Sequence, residues 1–197
     1  MAGSQALRTW KDRQLKQLDE LESAHKKVGG IKPGRRYTTQ QIDDAYVVLL
    51  CAQFQQYCRD LHSEAASWLV VQVNPASMRL PVAALLTSNR LLDRLNAQPS
   101  SIGSDFGRFG MDFWKSVRRL DKRNEGRQTK LDQVNIWRNA IAHQDFVLEK
   151  REKDIVKSTR RTLPYIRGWR RACEALAPEF DEAVRRHLQS LIGASPW

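Results

Sequence analysis

"TTQQIDDAYVVLLCAQFQQYCRDLHSEAASWLVVQV", residues 38–73, decides the fold. Ile42, Tyr46, Leu49, Leu50, Tyr57, Leu61, Ala65 and Trp68 recur at steps of three and four. That spacing places them along one side of an α-helix. Thr38 or Thr39 can cap its start, and Asn74–Pro75 closes it. A helix of this length predicts the spine of a bundle.

Working outward, residues 4–27 read as a charged helix with Leu7, Leu15, Leu18 and Leu21 near one stripe. "KKVGGIKPGRR" (26–36) is a break. Pro81 suits a first helical turn, so "PVAALLTSNRLLDRLNA" (81–97) reads as one helix. "QPSSIGSDFGRFG" (98–110) reads as a Gly/Ser loop, "MDFWKSVRRLDK" (111–122) as a short helix and "RNEGRQTK" (123–130) as a polar turn. Another helix starts near Leu131. "EKREKDIVKSTRR" (149–161) and "PYIRGWRRACEAL" (164–176) read as helical pieces broken or kinked at Pro164. "PEFDEAVRRHLQSLIG" (178–193) is a final helix using Phe180, Val184, Leu188 and Leu191. Period-2 alternation is absent, so the expected fold is all-α, without internal repeats. The expected organisation is one domain over 1–197, with an N-terminal helical arm (1–30), a core (38–146) and basic C-terminal helices (149–192).

The bulk properties bound the function. With 197 residues, 41% hydrophobic and 28% charged, the chain suits a globular domain with its own core. No apolar run approaches a membrane span, and the charged N-terminus has no signal region, so a cytoplasmic protein without membrane contact is expected. Cys51, Cys58 and Cys173 make no disulfide framework, and no CxxC or HxxxH spacing suggests zinc; no cofactor is expected. The net charge of +11 attracts polyanions: nucleic acid, an acidic membrane surface or an acidic protein. A helix-turn-helix signature and a Gly-rich phosphate loop are absent, which speaks against a DNA-binding or nucleotide-sensing regulator.

One stretch carries candidate chemistry: "WRNAIAHQDF", 137–146. Val134, Trp137 and Ile141 form its apolar stripe. Asn139 and His143, four apart, share a face. Arg138 and His143, five apart, sit roughly 140° apart on an ideal helix. Two remedies exist: the helix ends at the motif, or a symmetric dimer brings two copies across one cleft. The trio suits phosphodiester chemistry. Arg matches phosphate oxygens, His exchanges protons near neutral pH, and Asn orients His or donates to phosphate. Without metal ligands, the reaction is RNA cleavage by the substrate's own 2′-OH. The plain alternative is a helix end with a macrodipole-favoured His, an Arg paired to a nearby Asp and an Asn in a turn.

"RNAIAH" resembles the R-x(4–6)-H motif of the HEPN superfamily of small helical nucleases, and "VVLLCAQFQQYCRDL" (47–61) is similar to the long helix preceding that motif in the RiboL-PSP-HEPN group. The resemblance spans about residues 40 to 146. It implies a helical bundle dimerised with its motifs facing across a cleft. It also implies metal-independent endoribonuclease activity on single-stranded RNA, as a toxin or antiviral defence effector, with an antitoxin or defence-system protein as a candidate partner. The motif residues map to Arg138, Asn139 and His143. Two positions depart from the pattern. Gln55 stands where many relatives carry an acid, and Asp145 stands where some toxins carry a Tyr that a cognate nucleotidyltransferase modifies. A non-catalytic HEPN-type RNA- or protein-binding module is the alternative.

Arg59 on the long helix, Lys122 and Arg123 before the motif helix, and Lys150 and Arg151 after it are candidate RNA-binding residues. Each also fits a solvated face. Trp137 fits a core tryptophan better than a base-stacking one. Trp68, Trp114 and Trp169 fit apolar faces, and His25, His62 and His187 have no partner pattern.

Overall fold

A computed structural model describes residues 3–29, 37–156 and 161–197. Every regular element among them is helical. The order is α1 (Gln5–Thr9), a π-helical turn (Trp10–Gln14), α2 (Leu15–Gly29), α3 (Tyr37–Gln72), a short 3-10 turn, α4 (Arg79–Thr87), α5 (Leu91–Arg94), α6 (Pro99–Gly107), α7 (Phe113–Leu120), α8 (Asn124–His143), α9 (Lys150–Val156) and α10 (Leu163–Ile192). None of these helices is long and apolar enough to cross a membrane.

The spine is α3. Tyr46, Leu50, Phe54, Tyr57, Leu61 and Ala65 are fully buried along it, and α1, α2, α4, α8 and α10 pack around it. An aromatic chain ties the layers together. Trp10 meets Phe54 edge-on with centroids 5.5 Å apart, Phe54 meets Phe180 at 5.8 Å, Phe180 meets Phe113 at 4.8 Å, and Phe113 stacks on Phe106 at 4.5 Å. Such offset and edge-to-face pairs add to simple burial. The three cysteines are free and buried, as small apolar groups would be.

The N-terminal helices pack against α3, and α1 also meets α10. Ser4 caps α1 by accepting from the Leu7 N–H (3.0 Å), and its own N–H donates to Asp181 (3.1 Å). Glu64 accepts from the Gln5 and Ala6 N–H groups (2.9 and 3.0 Å). These bonds satisfy the first-turn donors that a helix leaves open. The Trp197 indole N–H reaches the same Asp181 carboxylate (3.0 Å), so both ends of the described chain meet there. The break expected over 26–36 lies outside the described residues from 30 onward.

Four segments differ from the sequence reading. Residues 81–97 form two helices, because Asn89 takes a left-handed conformation (φ 57°) and turns the chain. Residues 98–110 contain helix α6 where a loop was expected. Pro99 sits at its first position, and Ile102 and Phe106 face the core four apart. Gly103 lets the Trp114 ring come close: a Cβ there would lie 3.2 Å from the ring, whose N–H donates to the Pro99 carbonyl (2.7 Å). Residues 124–130 are helix, not a turn, so α8 begins seven residues before Leu131. Finally, α10 runs unbroken through Pro178. Ile166, Trp169, Cys173, Leu176, Phe180, Val184 and Leu188 form one buried stripe, and its burial outweighs the interior proline. Pro164 lies in the first turn of α10, as a helix start allows.

Candidate functional site

The motif closes α8. His143 is its last residue, and Gln144 follows in the left-handed region (φ 53°, ψ 28°). The Gln144 N–H bonds the Ile141 carbonyl (3.3 Å), and the Asp145 N–H reaches back to Ala140 (3.0 Å). This Schellman pairing ends the helix sharply. The His143 side chain is exposed and makes no hydrogen bond or ion pair with the described residues.

Asn139 lies one turn before His143 on the same face of α8, and Arg138 is about 140° round the helix from His143. Arg138 Nη1 donates to Asn139 Oδ1 (3.3 Å), and Asn96 Nδ2 donates to the same oxygen (2.5 Å). Asn139 is thus tied to Arg138 and Asn96, with no bond to His143. Burial pushes the nearby Cys51 thiol up to about 12, and the Arg138 charge pulls the other way. Among the described residues Arg138 has no carboxylate partner. Other half-buried or buried arginines do: Arg161 holds Asp44, Arg167 holds Glu22, Arg170 holds Asp19 and Glu174, and Arg185 holds Glu182.

Gln55 has a structural task. Its Nε2 donates to the Leu92 and Leu95 carbonyls (2.7 and 2.8 Å), closing the end of α5. A carboxylate there would face two carbonyl oxygens with no proton to offer, so the amide suits this position. Asn135 Nδ2 donates to Ala97 O (3.1 Å), a second link between α8 and the strand of chain after α5.

The five candidate RNA-contacting residues divide. Lys122 and Arg123 are exposed but sit at the start of α8, about 30 Å along the helix from His143. Arg123 is paired with Asp121 (2.9 Å). Lys150 and Arg151 are exposed at the start of α9, just past the motif turn. Arg59 is paired with Asp93 of α5 (3.3 Å), on the Gln55 side of the site. Trp137 is buried, with Arg161 stacked on its ring at 4.8 Å and on Phe146 at 4.5 Å, so it belongs to the core. The residue that sequence reasoning missed is Asn96. It lies 43 positions before Asn139, and nothing in the local pattern marks it.

Beside the motif, α3 and the end of α8 border an open groove of about 580 Å³. Ala45, Val48, Leu49 and Ala52 line one wall, and Ile141 and Gln144 the other. Among the described residues no three His, Cys, Asp or Glu side chains converge as a metal site requires.

Compared with protein-family models, curated proteins and solved structures, the chain finds no match in any of the three.

Proposed function

We propose that the protein is a HEPN-type, metal-independent endoribonuclease that acts as a homodimer on single-stranded RNA, in the role of a toxin or phage-defence effector. The observation that carries this reading is Arg138: a half-buried guanidinium beside the motif with no described carboxylate to neutralise it. A half-buried cation without a counter-charge loses part of its hydration uncompensated, and a phosphate would supply the missing charge.

The geometry within one chain supports a composite site. His143 is exposed at the helix end, and Arg138 is turned away from it by about 140° on a regular helix. The reading takes a second copy on the apolar groove, with one chain supplying His143 and the other Arg138 to a shared site. In the reaction, the substrate 2′-oxygen attacks phosphorus and the 5′-oxygen leaves. One His143 takes the 2′-OH proton, and the other donates a proton to the departing 5′-oxygen. Arg138 stabilises the charge on the equatorial oxygens. The products are a 2′,3′-cyclic phosphate and a 5′-OH.

The test incubates wild type, His143→Ala and Arg138→Ala with cellular RNA in EDTA and analyses the cut ends. Cyclic-phosphate ends from wild type alone are the expected result. Equal cleavage by all three would place the activity elsewhere. RNA left intact but bound by all three would favour the binding-module reading.

A further inference from the structure

Helix α5 is a single turn, yet side chains from two other helices hold both its ends. Asp105 of α6 accepts from the Leu91 and Leu92 N–H groups (2.9 and 2.7 Å), and Gln55 of α3 donates to the Leu92 and Leu95 carbonyls. Asn135 then fixes the Ala97 carbonyl to α8. Asn96 is held between these anchors, and its amide points at Asn139.

We propose that Asn96 is a positioning residue for Arg138 and Asn139, and that the pair it holds is a two-donor phosphate subsite. The inference rests on the reading of Arg138 as a phosphate-binding group. Amide orientation follows from donor identity. Arginine has donors only, so the Asn139 atom facing Arg138 Nη1 at 3.3 Å is the oxygen. Asn96 reaches the same oxygen at 2.5 Å, so it presents its NH2. One oxygen therefore absorbs two donors, and the Asn139 NH2 is turned away from both. That NH2 makes no hydrogen bond with the described residues. It stands beside the Arg138 guanidinium as a second donor for one anion. Without Asn96, the Asn139 amide can rotate, placing an acceptor oxygen where a phosphate oxygen would sit. The chain Gln55, α5, Asn96, Asn139 thus connects the middle of α3 to the motif.

The experiment measures binding of a short, fluorescein-labelled 2′-O-methyl oligoribonucleotide, which lacks the attacking hydroxyl and cannot be cleaved by it. Proteins are wild type, Asn96→Ala, Asn139→Ala and the double variant, at one fixed salt concentration because phosphate contacts are salt-dependent. Each single change is expected to weaken binding about three- to tenfold. The double variant is expected to be no weaker than the weaker single, since Asn96 acts only through Asn139. A merely structural role for Asn96 would not produce that coupling. Asn96→Asp keeps the shape, removes the donor and offers Arg138 an internal anion, so it is expected to lose more than Asn96→Ala.

Wild-type affinity in both single variants, losses that multiply in the double variant, or no binding by wild type would each overturn the subsite. Parallel incubation of wild type with cleavable RNA separates the two claims. Cleavage with unchanged affinity in Asn96→Ala removes the subsite and leaves the nuclease. The coupled binding pattern with intact RNA removes the nuclease and keeps the subsite.

Discussion

At the scale of single residues, donor and acceptor identity decides more than charge. Gln55 carries an amide where two carbonyls need a donor. Gln55→Glu is expected to cost about 1–3 kcal/mol at neutral pH and less at acidic pH, where the protonated acid can donate once. Urea unfolding at both pH values checks this; equal stability to wild type at neutral pH would contradict it. His62 follows the same logic. Arg90 Nη1 lies 3.3 Å from Nδ1 and can only donate, so Nδ1 accepts and Nε2–H donates to the Asp105 carbonyl (3.0 Å). Burial holds this imidazole neutral, pushing it down to about 4 from 6.5. A lowered histidine contributes its stability above the unfolded value and loses it as pH falls from about 6.5 through about 4. Wild type should therefore lose up to about 3 kcal/mol more than His62→Gln over that window. Parallel loss in both proteins would refute it. Arg138, Asn139 and His143 stood out in the sequence because they are near neighbours in one helix. Asn96 and the task of Gln55 did not, because both act through bonds that span about forty residues.

At the scale of elements, periodicity revealed α3 and the end of α8, where apolar side chains fill one side of the helix turn after turn. It failed where burial and local propensity disagree. The first two turns of α8 are mostly solvent-facing, so their polar residues read as a turn. In α6, glycines and serines lower helix propensity, while Ile102, Phe106 and the close approach of Trp114 hold the helix in place. In α10, Pro178 leaves the Glu174 carbonyl without its usual i+4 donor while the buried stripe carries the helix on. Pro178→Ala restores that donor at an exposed position and should stabilise the fold by about 1–3 kcal/mol, read as a higher urea midpoint with an unchanged slope. A lower midpoint would mean that the packing requires the proline.

At the scale of the whole molecule, the groove between α3 and the end of α8 is the surface on which the nuclease reading depends. Ala52 faces solvent there, so a large charged side chain is tolerated by the single chain and obstructs a second copy. Ala52→Arg is expected to be monomeric by light scattering, to melt at nearly the wild-type temperature and to lose RNA cleavage. A dimeric, active Ala52→Arg would move the interface elsewhere. The docking of the first helix on Asp181 also has a consequence for synthesis. The N–H of Ser4 and its acceptor are 177 residues apart in the chain. A ribosome adding about 5–20 residues per second needs about ten to thirty-five seconds to cover that distance. During that time α1 has left the tunnel before the helix that carries the acceptor of Ser4 exists. The packing of α1 and α2 on α3 is open to the nascent chain early, while the bond from Ser4 to Asp181 has to wait for α10.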